Sequence, residues 1–187
     1  MKQGDPHYFV AVKIDENTKK FLNKIQENIK TKSLPFKVWI HEQDFHITLQ
    51  FLGATSQDKI TELSETLMSM EELPAFTTTI GHLKTFGKSV QPRVLWVDVE
   101  RTQAVRQLHQ LVTDKCKELG LPTDTRSYQP HITLAKKWHD KNLHFDQTIL
   151  EDYQERKMDI TEVAIYKINL NSKIKYEPIA VFRLASN

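Results

Sequence analysis

The sequence predicts an α+β fold of two related lobes facing each other across a cleft, and three observations carry that prediction. The tetrapeptide His-Ile-Thr-Leu occurs twice, beginning at His46 and His131, 85 positions apart. Each copy stands in the same order of strand, helix, motif strand, helix and strand. No Ser/Gly-rich linker or low-complexity tract separates the copies. Solenoid repeats have periods of about 20–50 residues, so an interval this long reads as an internal duplication with a pseudo-two-fold. Residues 1–187 are then expected to form a single domain built of two pseudo-symmetric lobes.

The elements follow from periodicity and punctuation. His7–Ile14 is β-branched and aromatic and reads as a buried strand. Asp15 caps a helix whose Phe21, Leu22, Ile25 and Ile29 recur at helical spacing, ended by Pro35. Val38–Ile40 is a short strand, and Phe45–Leu52 is the first motif strand, closed by Gly53. Thr55 or Ser56 caps a second helix with Ile60, Leu63 and Leu67 on one face, terminated by Pro74. Strands are expected at Phe76–Leu83 and Val94–Val99. A helix runs from about Thr102 to Leu119, with Val105, Leu108, Leu111 and Val112 inward and Gly120 as its stop. After the second motif strand, His131–Ala135, come a short helix near Gln147–Tyr153 and closing strands at Ile160–Leu170 and Ile179–Leu184. Phe9 and Val10 are matched to Leu95 and Trp96 across the duplication.

The chain of 187 residues buries roughly 70% of its unfolded surface without a staple. Its one cysteine, Cys116, excludes an intramolecular disulfide and a thiolate zinc site. No apolar run approaches the ~20 residues of a membrane helix, and the first residues do not read as a signal peptide. A cytoplasmic protein with no membrane contact is the expectation. The formal net charge of +2 permits contact with a phosphate but not an extended nucleic-acid groove. Local basic pairs such as Lys136–Lys137 and Arg156–Lys157 read as solvated faces.

The chemistry lies in the repeated tetrapeptide. Side chains alternate along a strand, so His46 and Thr48 share one face, as do His131 and Thr133. Ile47 and Leu49, with Phe45 and Phe51, are expected on the opposite, core face. If the lobes pair, two imidazoles and two hydroxyls converge on one cleft. Cleaving a phosphodiester needs a base to activate water and an acid to protonate the leaving oxygen, and histidine titrates near working pH. The threonine hydroxyls suit the non-bridging phosphate oxygens. This chemistry needs no metal and no cofactor.

These residues resemble the 2H phosphoesterase superfamily, and within it the RNA 2′,3′-cyclic phosphodiesterase branch, also called 2′-5′ RNA ligase or LigT-like. Phe9, Trp39, the run His46–Gly53, the segment Arg93–Val99 and the run Pro130–Lys137 carry the resemblance. It implies a bilobal fold of two antiparallel-sheet lobes with outer helices and a central cleft. It also implies hydrolysis of the 2′,3′-cyclic phosphates of RNA ends or nucleotides to 2′-phosphates, with a weak reverse 2′-5′ ligation; a monomer is expected. By position, His46 resembles the acid toward the leaving 3′-oxygen and His131 the base that activates water. Lys136 stands where the family often carries an arginine that holds phosphate, and a lysine is a point charge rather than a planar fork. Asn171–Pro178 lacks the Gly-Pro often found there, so a different final turn is expected.

Other features are set aside. His41-Glu42-Gln43-Asp44-Phe45-His46 spaces its histidines five apart, one too many for a helical zinc motif. His7, His82, His109, His139 and His144 lack motif context. Tyr128, Phe45 and Trp138 are read as packing rather than base-stacking residues, and Cys116 as a small core residue. Two further readings stay open. One is a phosphodiesterase for 2′-5′ oligonucleotides or other small cyclic nucleotide phosphates. The other is an RNA-end-binding module without turnover.

Overall fold

The computed structural model describes residues 5–151 and 155–186. Its strands and helices are β1 (His7–Lys13), α1 (Glu16–Lys30), β2 (Phe36–Trp39), β3 (His46–Ala54), α2 (Gln57–Leu67), β4 (Phe76–Lys88), β5 (Gln91–Val99), α3 (Gln103–Glu118), β6 (His131–Trp138), β7 (Arg156–Ile160), β8 (Glu162–Ile168) and β9 (Tyr176–Arg183). They form two sheets, β3-β1-β8-β9 and β2-β6-β5-β4-β7, and every pairing is antiparallel. The α+β class and the paired antiparallel sheets therefore hold.

The helices begin where the sequence places them and α3 ends there too, whereas α1 stops at Lys30 and α2 at Leu67, short of Pro35 and Pro74. Asp15 accepts from the Thr18 amide and hydroxyl, satisfying orphan donors at the start of α1. Ser56 and Thr102 accept from Lys59 and Val105 in the same way. At the end of α3, Gly120 adopts φ +67°. Its amide reaches the Lys117 carbonyl while the Leu121 amide reaches that of Cys116, which is the Schellman closure that favours glycine. One continuous core draws Leu22, Ile25 and Ile29 of α1, Ile60, Leu63 and Leu67 of α2, and Val105, Leu108 and Val112 of α3 onto both sheets. On the other face of the first sheet, Phe9, Ala11, Ala164 and Tyr166 form a smaller cluster. Among the described residues no helix is long and apolar enough to cross a membrane.

Three elements differ from the sequence reading. The stretch read as one strand, Ile160–Leu170, is two: β7 pairs with β4 in one sheet, and β8 lies between β1 and β9 in the other. The chain crosses at Thr161, whose carbonyl accepts from the Leu184 amide. A polar/apolar alternation (Met158 and Ile160 inward) there gives way to the run Val163–Tyr166, buried on both faces as a central strand requires. The hairpin β4–β5 is longer than read, because pairing continues to Lys88 opposite Gln91. Gly87 makes that possible at φ +103°, where a Cβ would stand 2.9 Å from the Arg93 nitrogen. The short helix near residue 147 is a 3-10 turn, Gln147–Leu150; the part of the expectation at Asp152 and Tyr153 lies outside the described residues.

The duplication is visible in register. Both motif strands carry a β-bulge at the motif leucine. Val10 faces Gln50 and Ala11 faces Thr48, so Leu49 is left over. Leu95 faces Ala135 and Trp96 faces Thr133, so Leu134 is left over. The two bulges are 85 positions apart, like the motifs. In this register Ala11 matches Trp96, and Phe9 and Val10 match Val94 and Leu95. The pairing of Phe9 and Val10 with Leu95 and Trp96 was thus one residue off. The copies also exchange strands: β4, after the first motif, lies inside the second motif's sheet, and β8, after the second, lies inside the first's.

Candidate active site

β3 and β6 meet where the two sheets come together. There they enclose a cleft of about 220 Å³ lined by His46, Thr48, His131, Thr133, Lys136 and seven largely apolar neighbours, including Phe9, Phe51, Phe86 and Tyr176. All five residues singled out in the sequence are therefore brought to one pocket.

Both rings are held alike. His46 Nδ1 lies 2.7 Å from the Asp44 carbonyl, and His131 Nδ1 lies 2.7 Å from the Gln129 carbonyl. A carbonyl only accepts, so each Nδ1 carries the proton and each Nε2 is left for exchange. His46 Nε2 is 3.1 Å from Thr48 Oγ1; the hydroxyl donates to the neutral ring and accepts from the charged one. Aromatic rings fix the imidazoles further. Phe9 is 4.7 Å and Tyr176 5.1 Å from His46, and Phe86 is 5.1 Å and Trp96 5.5 Å from His131.

The electrostatics separate the two rings. Burial depresses His46 to about 4; the Asp44 backbone contact and carboxylate work against it, and the neighbouring His131 works with it. Burial also lowers His131, but the Asp98 carboxylate, beside it on β5, works the other way. The position equivalent to Asp98 on β1 is Lys13, paired with Glu162 at 2.6 Å. His131 thus has an anion as its strand partner and His46 a cation. Lys136 is lowered mainly by desolvation and next by the nearby Lys175.

The bulges decide what else reaches the cleft. Strict alternation puts Phe51 on the core face with Ile47 and Leu49, as the sequence reading did. The structure corrects this: Phe51 is 52% exposed and lines the cleft, whereas Gln50 is buried. The extra residue at Leu49 switches the parity of everything after it. The same device at Leu134 turns Lys136 to the face of His131 and Thr133. Phe51 and Lys136 occupy equivalent positions, so one rim of the cleft is aromatic and the other cationic.

The aromatic residues considered for stacking lie elsewhere. Phe45 is 2% exposed in the core. Trp138 packs on Phe36 and donates to the Asp140 carbonyl. Tyr128 stacks on His109 at 3.7 Å and donates to the Thr48 carbonyl, tying the first motif strand to the loop before the second. Phe86 and Phe51 were missed because one sits in the hairpin extension and the other beyond a bulge; the Gly87 that permits the extension was the available signal. Tyr176 sits at the turn into β9, where Asp44 accepts from the Lys175 and Tyr176 amides at 3.0 Å. Cys116 is buried in α3 with its thiol pushed up to about 12 by desolvation, so it is no nucleophile. Around His41 the chain forms a 3-10 turn, Glu42–Asp44, not the helix a zinc motif needs.

Residues 14–171 match the 2′-5′ RNA ligase superfamily. The chain belongs to this superfamily. Similarity to individual 2′-5′ RNA ligase superfamily members runs over nearly its whole length. A Bacillus subtilis RNA 2′,3′-cyclic phosphodiesterase is 32% identical over 182 residues, covering 96% of this chain and 97% of the relative. A Geobacillus stearothermophilus protein of the same name is 34% identical over 95% of this chain, which spans only 57% of that longer relative. In fold the chain is similar to E. coli LigT, solved with 3′-AMP, at a TM-score of 0.73, 20% identity and coverage of 96% and 98% of the two chains. A Thermus thermophilus protein superposes at 0.76, with 21% identity and coverage of 95% and 97%.

Proposed function

We propose that this member of the superfamily hydrolyses 2′,3′-cyclic phosphate ends of RNA to 2′-phosphates, with His46 as acid, His131 as base, and Thr48, Thr133 and Lys136 holding the phosphate. The observation that carries the reading is the pair of identically tethered imidazoles in one small cleft. The names of the B. subtilis and G. stearothermophilus relatives support the same reaction.

In the proposed step, His131 Nε2 takes a proton from water, whose oxygen attacks phosphorus. The bond from phosphorus to the 3′-oxygen breaks, and His46 Nε2–H delivers its proton to that oxygen. Solvent exchange then restores the starting protonation. The electrostatics support this division. A low pKa makes His46 a strong donor toward the leaving oxygen, and Asp98 favours the imidazolium that His131 becomes. The cost is that the free protein holds little of its proton on His46. A bound phosphate anion beside the ring offsets that cost. We also propose that no metal takes part: among the described residues no group of three or more His, Cys, Asp or Glu is placed to hold one.

The test is incubation with 2′,3′-cyclic nucleotides and with RNA bearing that end, followed by phosphorus NMR. A 2′-monophosphate formed at a rate unaffected by EDTA is the expected result. A 3′-monophosphate would reverse the placement of the acid, and tight binding without product at any pH would replace hydrolysis by end-binding.

A further inference from the structure

The catalytic cleft does not close behind Lys136. Lys136, Ile40 and Tyr176 also line a second, larger groove of about 410 Å³. α1 contributes Asn23, Gln26 and Lys30 to this groove, β2 contributes Trp39, and the turn before β9 contributes Lys173 and Lys175. Its floor is fixed, because the buried Gln26 amide donates to the carbonyls of Ile40 and Leu134 at 2.8 and 2.9 Å. Of its three acidic groups, Asp44 accepts two backbone amides and Glu27 pairs with Lys30 at 2.7 Å, and Glu42 stands against four lysines. Trp39 is half-buried, edge-on to Phe36, with Lys30 Nζ 5.6 Å from its ring centre. The final turn, which lacks the expected Gly-Pro, brings two lysines instead.

A strand that ends in a cyclic phosphate continues only on its 5′ side, so it must leave the cleft by some opening. The rim at Phe51 and Ile168 is apolar. The opening past Lys136 is cationic and leads to a tryptophan. Lys136 and Lys175 repel each other across it, and with Lys136 on the cyclic phosphate a second phosphodiester beside Lys175 would relieve that repulsion. The cleft alone is smaller than the usual site for a drug-sized ligand, about 300 Å³ and upward, whereas cleft and groove together hold more than one nucleotide.

We propose that this groove binds the nucleotide 5′ of the cyclic end, with Lys173 and Lys175 on its phosphodiester and Trp39 facing a base, so that the protein selects oligonucleotide ends over mononucleotides. This deepens the reading given above and rests on the cyclic phosphate sitting between the two histidines.

The test compares calorimetric binding of a nucleoside 2′-monophosphate and a dinucleotide ending in 2′-phosphate to the full chain at two salt concentrations. Wild type is expected to bind the dinucleotide about tenfold more tightly, with the steeper salt dependence of an extra phosphate contact. Lys173→Glu combined with Lys175→Gln should abolish that preference. It should leave mononucleotide affinity, and turnover of a 2′,3′-cyclic mononucleotide, within about threefold. Equal binding of the two ligands by wild type, binding of neither, or equal weakening of both in the variant overturns the groove. A wild type that prefers the dinucleotide but turns over no cyclic end keeps the groove and overturns the hydrolase.

Discussion

His46 and His131 are tethered alike yet differ in their strand partners and in how far burial lowers them, and the difference is measurable. Replacing either with alanine should lower turnover of a 2′,3′-cyclic nucleotide by several orders of magnitude, because acid and base act as a unit. Thr48→Ala or Thr133→Ala removes one of the proposed phosphate donors and should cost less, roughly 10- to 1000-fold. Both imidazoles are lowered from the usual 6.5 or so. The active form carries one proton on the pair, so kcat/KM should follow a bell whose two pKa values belong to the pair and lie below that value. From pH 6.5 to 8 it should keep declining, since the free protein has mostly lost its last shared proton by then. Asp98→Asn removes the anion that supports His131 and should shift the falling limb to lower pH. A bell centred above pH 7 in wild type would refute the assignment. The motif residues were legible in the sequence because type, spacing and repetition all agreed; Asp98 was not, since only the β5–β6 register sets it beside His131.

At the scale of elements, the β-bulge controls the site. A strand's parity tells a reader which side chains share a face, and that rule placed His46 with Thr48 and His131 with Thr133. It failed three residues further on, at Phe51, because a one-residue insertion carries no local signal when the inserted residue is an ordinary core leucine. Lys136 was assigned by resemblance, and parity alone would have pointed it into the core. Likewise the split of β7 from β8 at Thr161 depends on which sheet each half joins, a long-range choice that local propensity does not encode. Substitutions at two positions probe the bulge and its product. Leu134→Ala empties a fully buried position and should cost about 2–5 kcal/mol in a denaturation experiment. Lys136→Ala should weaken binding of inorganic phosphate about tenfold, or about 1.4 kcal/mol, whereas Lys136→Arg should retain or improve it, because a planar fork matches phosphate oxygens.

Over the whole molecule, the two sheets share one core, so unfolding should be a single transition that coincides by tryptophan fluorescence and far-ultraviolet circular dichroism. Its pH dependence follows from the cleft. His46 is depressed in the folded state, so the unfolded chain binds more protons as pH drops below about 6.5. Stability is therefore complete above that value and declines toward pH 4, a window above that in which most carboxylates titrate. Inorganic phosphate should restore part of the loss, and His46→Gln should flatten the curve; a melting temperature constant from pH 7 to 4.5 would contradict the buried neutral ring.

The reciprocal placement of β4 and β8 has an ancestral corollary. A gene for one copy alone would encode a chain whose sheet lacks an interior strand, and trading that strand with a second molecule would complete it. Joining two such copies end to end makes the trade intramolecular, at the high local concentration a short tether provides. Such a fusion would let the halves diverge without losing each other, in keeping with the aromatic ring at one equivalent edge of the cleft and the cation at the other.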